Sequence, residues 1–192
     1  MFDALYKKIT EIVPISDEEF EICKTFFLPK KLRKRRFLLE EGDICKYTVF
    51  VENGLLKSYI IDEKGAEHIL QFALEGWLVA DLYSYFTGMP SQYYMEALED
   101  SELLLITKPS WDELLEKVPR LERYFRILLQ NNLIATQKRL MDSFSETAEE
   151  KYKKLMDAFP DILQRVPQHM IAAYIGITRE TLSRIRKSMA TR

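Results

Sequence analysis

Residues 166–192 read VPQHMIAAYIGITRETLSRIRKSMATR, and their spacing decides how the carboxy-terminal part of the chain folds. Val166-Pro167 opens a helix, since proline fits a first turn where its missing N–H costs nothing. Met170, Ile171, Ala173 and Tyr174 supply the apolar face of that helix. Gly176 stands where a sharp turn demands positive φ, and Ile175 and Ile177 fill the hydrophobic angle between two helices. Thr178 is a good N-cap for a second helix, Arg179 to about Met189, while Thr181 at N3 leaves the capping box incomplete. Leu182, Ile185 and Met189 form one stripe, and Arg179, Glu180, Ser183, Arg184 and Lys187 occupy the rest. These features make a helix-turn-helix with a polar, basic second helix.

Such a face has the chemistry to read DNA. Arg179 and Arg184 can present guanidinium forks to guanine O6 and N7, and Glu180 can accept from cytosine N4. Thr178, Thr181, Arg186 and Lys187 suit phosphate contacts that fix register. The alternative is a small amphipathic hairpin whose basic face is merely solvated. Charge distribution favours the first. Arg165 to Arg192 holds six basic residues and one acid, whereas the chain as a whole carries a net charge of -2, so the remainder is acidic.

Upstream, Met1 to Phe27 reads as two short helices: Leu5, Ile9 and Ile12 at helical spacing, Pro14 as interruption, then a Ser16/Glu19 capping box before Phe20 and Cys23. Lys30 to Arg36 (KKLRKRR) has six basic residues in seven. It suits a phosphate or acidic partner, but equally a solvated strand edge that lysines guard against aggregation, and the edge is favoured. From Phe37 to Thr107 short β-like runs alternate with turn signals, among them Glu41-Gly42-Asp43, Asn53-Gly54 and Asp62 to Gly65, with Asn-Gly favouring a type I′ hairpin. Leu78 to Phe86 interrupts them as a short helix, and no crossover-length helix intervenes, so the sheet is antiparallel. A helix opens at Pro109, and Pro119 begins a longer one in which Leu121, Tyr124, Phe125, Leu128, Leu129, Leu133 and Ile134 recur at three- and four-residue spacing. At ~24 residues it spans ~36 Å, enough to join two domains and pair with a twin in a dimer. Thr147 to Phe159 is a further helix.

Composition narrows the classes. At 192 residues and 47% hydrophobic content the chain can bury a core. It has no ~18-residue apolar run, and Asp3, Lys7 and Lys8 break up any signal peptide, so a cytoplasmic protein without membrane attachment is expected. Cys23 and Cys45, like His68 and His169, are isolated, so neither a disulfide framework nor a metal site is expected. Nucleophile elbow and Walker motifs are lacking, so neither an enzyme nor a cofactor is expected.

The whole chain resembles the Crp/Fnr family of bacterial transcription regulators. Ile177-Thr-Arg-Glu-Thr-Leu-Ser-Arg-Ile185 is similar to the family's recognition-helix signature, and Glu41-Gly42-Asp43, Asn53-Gly54 and the hairpin around Gly65 match its β domain more loosely. The resemblance implies an α+β fold: an antiparallel, jelly-roll type β-roll of the cyclic-nucleotide-binding kind flanked by helices, a long dimerisation helix, and an all-α helix-turn-helix domain. The expected divisions are a sensor at 1–118, a dimerisation helix at 119–145 and a DNA-binding domain at 146–192. Arg179, Glu180 and Arg184 take the base-contacting places, with Thr178, Thr181, Ser183 and Lys187 beside them. A homodimer would read a palindromic operator in double-stranded DNA, with RNA polymerase as a further candidate partner.

Two departures qualify this picture. The family's cyclic AMP cassette aligns with Ala80-Asp81-Leu82 and with Ser91-Gln92-Tyr93, where its phosphate-binding arginine is absent, and no arginine or lysine occurs between Lys64 and Lys108. Burying a phosphate without a paired cation costs several kcal/mol, which argues against cyclic AMP. Trp77, Asp81, Leu82, Ser91, Gln92 and Tyr93 are therefore candidates for a pocket that takes an unidentified small molecule, or none. The chain also stops at Arg192, so a full β-hairpin wing is not expected. The rival expectation from another class is a sensory or protein-interaction module of this fold that does not bind DNA.

Overall fold

Two short helices, α1 (Asp3–Thr10) and α2 (Asp17–Thr25), open the computed structural model, which describes residues 1–190. The capping box of α2 is formed: the Glu19 N–H donates to Ser16 Oγ at 3.1 Å, and the Ser16 N–H donates to Glu19 Oε2 at 2.9 Å. α1 has no local cap. Its first turn is closed by Glu52, which accepts from the N–H groups of Ala4 and Leu5 at 2.7 and 3.2 Å.

Eight strands follow among the described residues: β1 (Leu28–Leu32), β2 (Phe37–Leu39), β3 (Tyr47–Asn53), β4 (Leu56–Ile61), β5 (Glu67–Ala73), β6 (Leu78–Val79), β7 (Tyr94–Ala97) and β8 (Ser101–Thr107). They form two four-stranded sheets, ordered β1-β8-β3-β6 and β2-β7-β4-β5. The pairings of β8 with β1 and β3, and of β7 with β2 and β4, are antiparallel. The helices are α3 (Leu82–Thr87), α4 (Lys108–Lys117), α5 (Arg120–Ser145), α6 (Ala148–Ala158), α7 (Ile162–Arg165), α8 (Gln168–Ile175) and α9 (Arg179–Ala190). No helix among the described residues is long and apolar enough to cross a membrane.

The structured chain falls into two compact units, one of Met1–Tyr59 with Phe72–Asn131, the other of Ile60–Gln71 with the residues from Asn132 onward. In the first, β3 and β8 are buried on both sides. Val49, Val51, Leu103 and Leu105 join Leu39, Met95 and Ala97 inside the roll. Phe50, Leu104 and Ile106 point the other way, into a second core with Leu5, Ile9, Phe20, Trp111, Leu114 and Tyr124. Residues facing both cores read as a continuous apolar run, which is why β8 shows no alternation in sequence. In the second unit, Tyr152, Leu155, Ile162, Val166, Ile171, Ala172, Ile175 and Leu182 are buried.

Three local expectations need correction. Asn53-Gly54 does not make a hairpin, because β3 and β4 belong to different sheets and the turn hands the chain from one to the other. Gly54 is required there by its φ of +103° and by Ser101, whose Cα would lie 2.8 Å from an added Cβ. Leu78 to Phe86 is not one helix: Leu78 and Val79 pair with β3, and only Leu82–Thr87 is helical. The apolar face of α8 is Ile171, Ala172 and Ile175, with Met170, Ala173 and Tyr174 half-buried, because the helix packs one step further round than spacing alone suggested. The basic run divides. Lys30 and Lys31 lie exposed on β1, the outer strand of its sheet, while Arg33–Arg36 form a turn in which Arg35 takes φ 63°.

Candidate nucleic-acid interface and sensor cassette

The helix pair α8 and α9 is built as its sequence dictates. α8 ends at Gly176 in the left-handed region (φ 77°, ψ 34°), and the following Ile177 N–H returns to Ala172 O at 3.0 Å. The chain then turns into α9, where the Thr181 N–H donates to Thr178 Oγ1 at 3.2 Å as the expected cap. Leu182 is fully buried and Ile185 and Met189 are half-buried, so the predicted stripe faces the unit's core.

The opposite face of α9 is open. Thr178, Arg179, Glu180, Arg184 and Lys187 are exposed, and Thr181, Ser183 and Arg186 are half-buried. Arg184 Nη2 donates to Thr181 Oγ1 at 3.3 Å, which steadies the guanidinium one turn along from the cap. The Glu180 carboxyl is held below the usual carboxylate range, first by its own backbone N–H and then by the Thr178 hydroxyl. It is therefore an acceptor at neutral pH. The start of α8 has no side-chain cap and exposes Gln168 and His169, and the Met170 N–H turns back to Pro167 O at 3.0 Å.

The cassette residues are engaged with one another. Asp81, 3% exposed, accepts from the Ser84 N–H at 3.1 Å and so caps α3. Ser91 is buried; its hydroxyl donates to Tyr93 O at 2.9 Å, its N–H donates to Asp43 O at 2.7 Å, and its carbonyl accepts from the Gly42 N–H at 2.9 Å. The Tyr93 hydroxyl donates to Ala80 O at 3.1 Å, closing one arm of the cassette on the other, and burial pushes its pKa up. Trp77 and Tyr93 pack on the roll core, whereas Leu82 and Gln92 are exposed. A cavity of about 290 Å³ lies beside the cassette, lined by Leu39, Asp43, Cys45, Lys46, Val49 and Met95 among others, and its lining includes none of the six expected pocket residues. Composition gave no signal for it, because its lining comes from three separated segments.

Residues 29–118 match the cyclic nucleotide-binding domain. The chain is 28% identical over 167 residues to the regulatory protein HlyX of Actinobacillus pleuropneumoniae, covering 81% of this chain and 69% of that protein. It is 29% identical over 167 residues to the fumarate and nitrate reduction regulatory protein of Vibrio cholerae, covering 81% and 66%. The chain thus spans about two thirds of the length of these relatives. Among solved structures, FixK2 of Bradyrhizobium japonicum has a TM-score of 0.74 at 20% identity, covering 86% of this chain and 85% of that one. The c-di-GMP responsive global regulator CLP of Xanthomonas campestris also has a TM-score of 0.74, at 14% identity, with 92% of each chain covered. Two antiparallel sheets, flanking helices and a carboxy-terminal helix-turn-helix are the common fold, and over most of its length the chain is similar to transcription regulators of the Crp/Fnr kind.

Proposed function

We propose that this regulator is a cytoplasmic homodimer that reads a palindromic site in double-stranded DNA through α9, with no catalytic role. Its sensor domain takes residues 1–118, its dimerisation helix 119–145 and its DNA-binding domain 146–192. The observation that carries this reading is the two-faced α9: Leu182 is sealed inside while Arg179, Glu180 and Arg184 stand in solvent on the helix's first two turns. Arg179 and Arg184 read guanine, Glu180 accepts from cytosine, and Thr178, Thr181, Arg186 and Lys187 hold phosphates, with Ser183 beside them. Thr191 and Arg192, where the question of a wing begins, lie outside the described residues.

Dimerisation is supported by α5, whose Leu133, Ile134, Leu140, Met141 and Phe144 are 58–84% exposed. Leu133 and Leu140, like Ile134 and Met141, are seven apart, so each pair recurs on one seam, and a second copy would cover both. Classical cyclic AMP binding is not part of the proposal. Asp81 caps α3, Ser91 and Tyr93 close the cassette, and its own residues, Ala80 to Tyr93, include no arginine or lysine to neutralise a phosphate. Selection of bound sequences from a random DNA pool tests the reading. An enriched palindrome is the expected result; no enrichment, with and without cell extract, would favour a module that does not bind DNA.

A further inference from the structure

Arg139 lies on the later half of α5 and is solvent-exposed, yet its guanidinium reaches three backbone carbonyls. Nη1 donates to Leu70 O, and Nη2 donates to Ile69 O at 3.1 Å and to Tyr174 O at 3.4 Å. The guanidinium carbon also sits 4.2 Å from the centroid of the Tyr174 ring. Ile69 and Leu70 lie on β5, Tyr174 lies on α8, and all belong to the second compact unit.

Two of the three acceptors are of a kind that takes an outside donor. Tyr174 O is among the last four carbonyls of α8, which have no partner within the helix and which a cation suits electrostatically. β5 is the outer strand of its sheet, and because successive carbonyls of a strand point to opposite sides, one of Ile69 O and Leu70 O faces away from β4 and finds no ladder partner. Only a planar fork with five donors can bond carbonyls on two segments while stacking on a ring.

We propose that Arg139 is a positioning residue: it pins the tip of the β4–β5 hairpin to the last turn of α8, and so fixes the helix on which the reading helix α9 is packed. The functional half of this rests on the DNA reading of α9; the structural half does not.

Amide hydrogen exchange of the full chain tests it, comparing the natural sequence with Arg139→Ala, Arg139→Lys and Tyr174→Leu. Arg139→Ala should speed exchange in residues 60–71 and 168–175 together, by about three- to tenfold, leaving α1 and α4 at their original rates. Arg139→Lys should restore little, because an ammonium cannot span both segments. Tyr174→Leu should loosen the same two segments by a smaller factor, and the double variant should show less than the product of the two effects. Unchanged rates in either segment, full rescue by lysine, or an even rise over the whole chain would overturn the proposal. On the palindrome selected from random DNA, Arg139→Ala should weaken binding by about three- to tenfold with the salt slope unchanged, since no phosphate contact is removed. If the natural sequence selects no DNA, the DNA reading falls and the exchange result still decides the pin.

Discussion

Arg179 and Arg184 stand on the far side of α9 from buried Leu182, so alanine at either deletes a guanidinium fork without opening the core. Each should relax specificity at one base pair and cost about 1–3 kcal/mol of binding, measured by titrating operator variants. Glu180 is ionised below its ordinary pKa, so its support for the start of α9 is present above that value and lost as pH falls through the lowered one. Cys23 has the opposite sign. Burial pushes its thiol from 9.0 up to about 12, so its contribution is whole below the first value and lost as pH rises through the second. A thiol reagent at pH 8 should therefore leave Cys23 unlabelled until the protein is unfolded. The Thr178 cap and the Gly176 turn were legible in the sequence because both depend on neighbours within four residues. Arg139 was not, since its carbonyl partners lie 69 and 35 residues away.

Helices α2, α4, α6 and α9 follow from capping residues and apolar spacing, and α1 and α8 from spacing alone, while strands and turns follow less well. Gly54 shows why: Asn-Gly is compatible with a hairpin, but here it joins two sheets and lies against Ser101. Gly54→Ala should destabilise by about 2–4 kcal/mol in a denaturant titration, combining backbone strain at positive φ with overpacking on Ser101. The long helix α5 was legible from its period, but not the fate of its face. Leu121 and Tyr124 are buried in the first unit, whereas Leu133, Leu140 and Phe144 are exposed. Leu133→Glu with Leu140→Glu should give a monomer in sedimentation equilibrium at concentrations where the natural sequence is a dimer, with the circular dichroism of the helices retained.

For the assembled regulator, two copies of α9 related by a two-fold axis should protect half-sites ~34 Å apart in a footprinting experiment. With on the order of six phosphate contacts between them, affinity should fall about a thousandfold from 50 to 200 mM salt. The amino acids alone specified an antiparallel β domain, a long helix and a basic helix-turn-helix, because helix periodicity, caps and charge are local and survive without knowledge of any partner. They also exposed the absence of a cation in the cassette. The fold decided what depends on meetings between distant segments. Lys57, 2% exposed, is accommodated on β4 with Glu96 paired to it across the strands at 3.2 Å and the Tyr59 ring 3.9 Å from its ammonium. Asp81, Ser91 and Tyr93 each find a hydrogen-bond partner in the folded chain, at Ser84, Tyr93 and Ala80 in turn, which alignment does not show. A linear pattern records which polar groups a chain carries; only packing determines whether they face a ligand or one another.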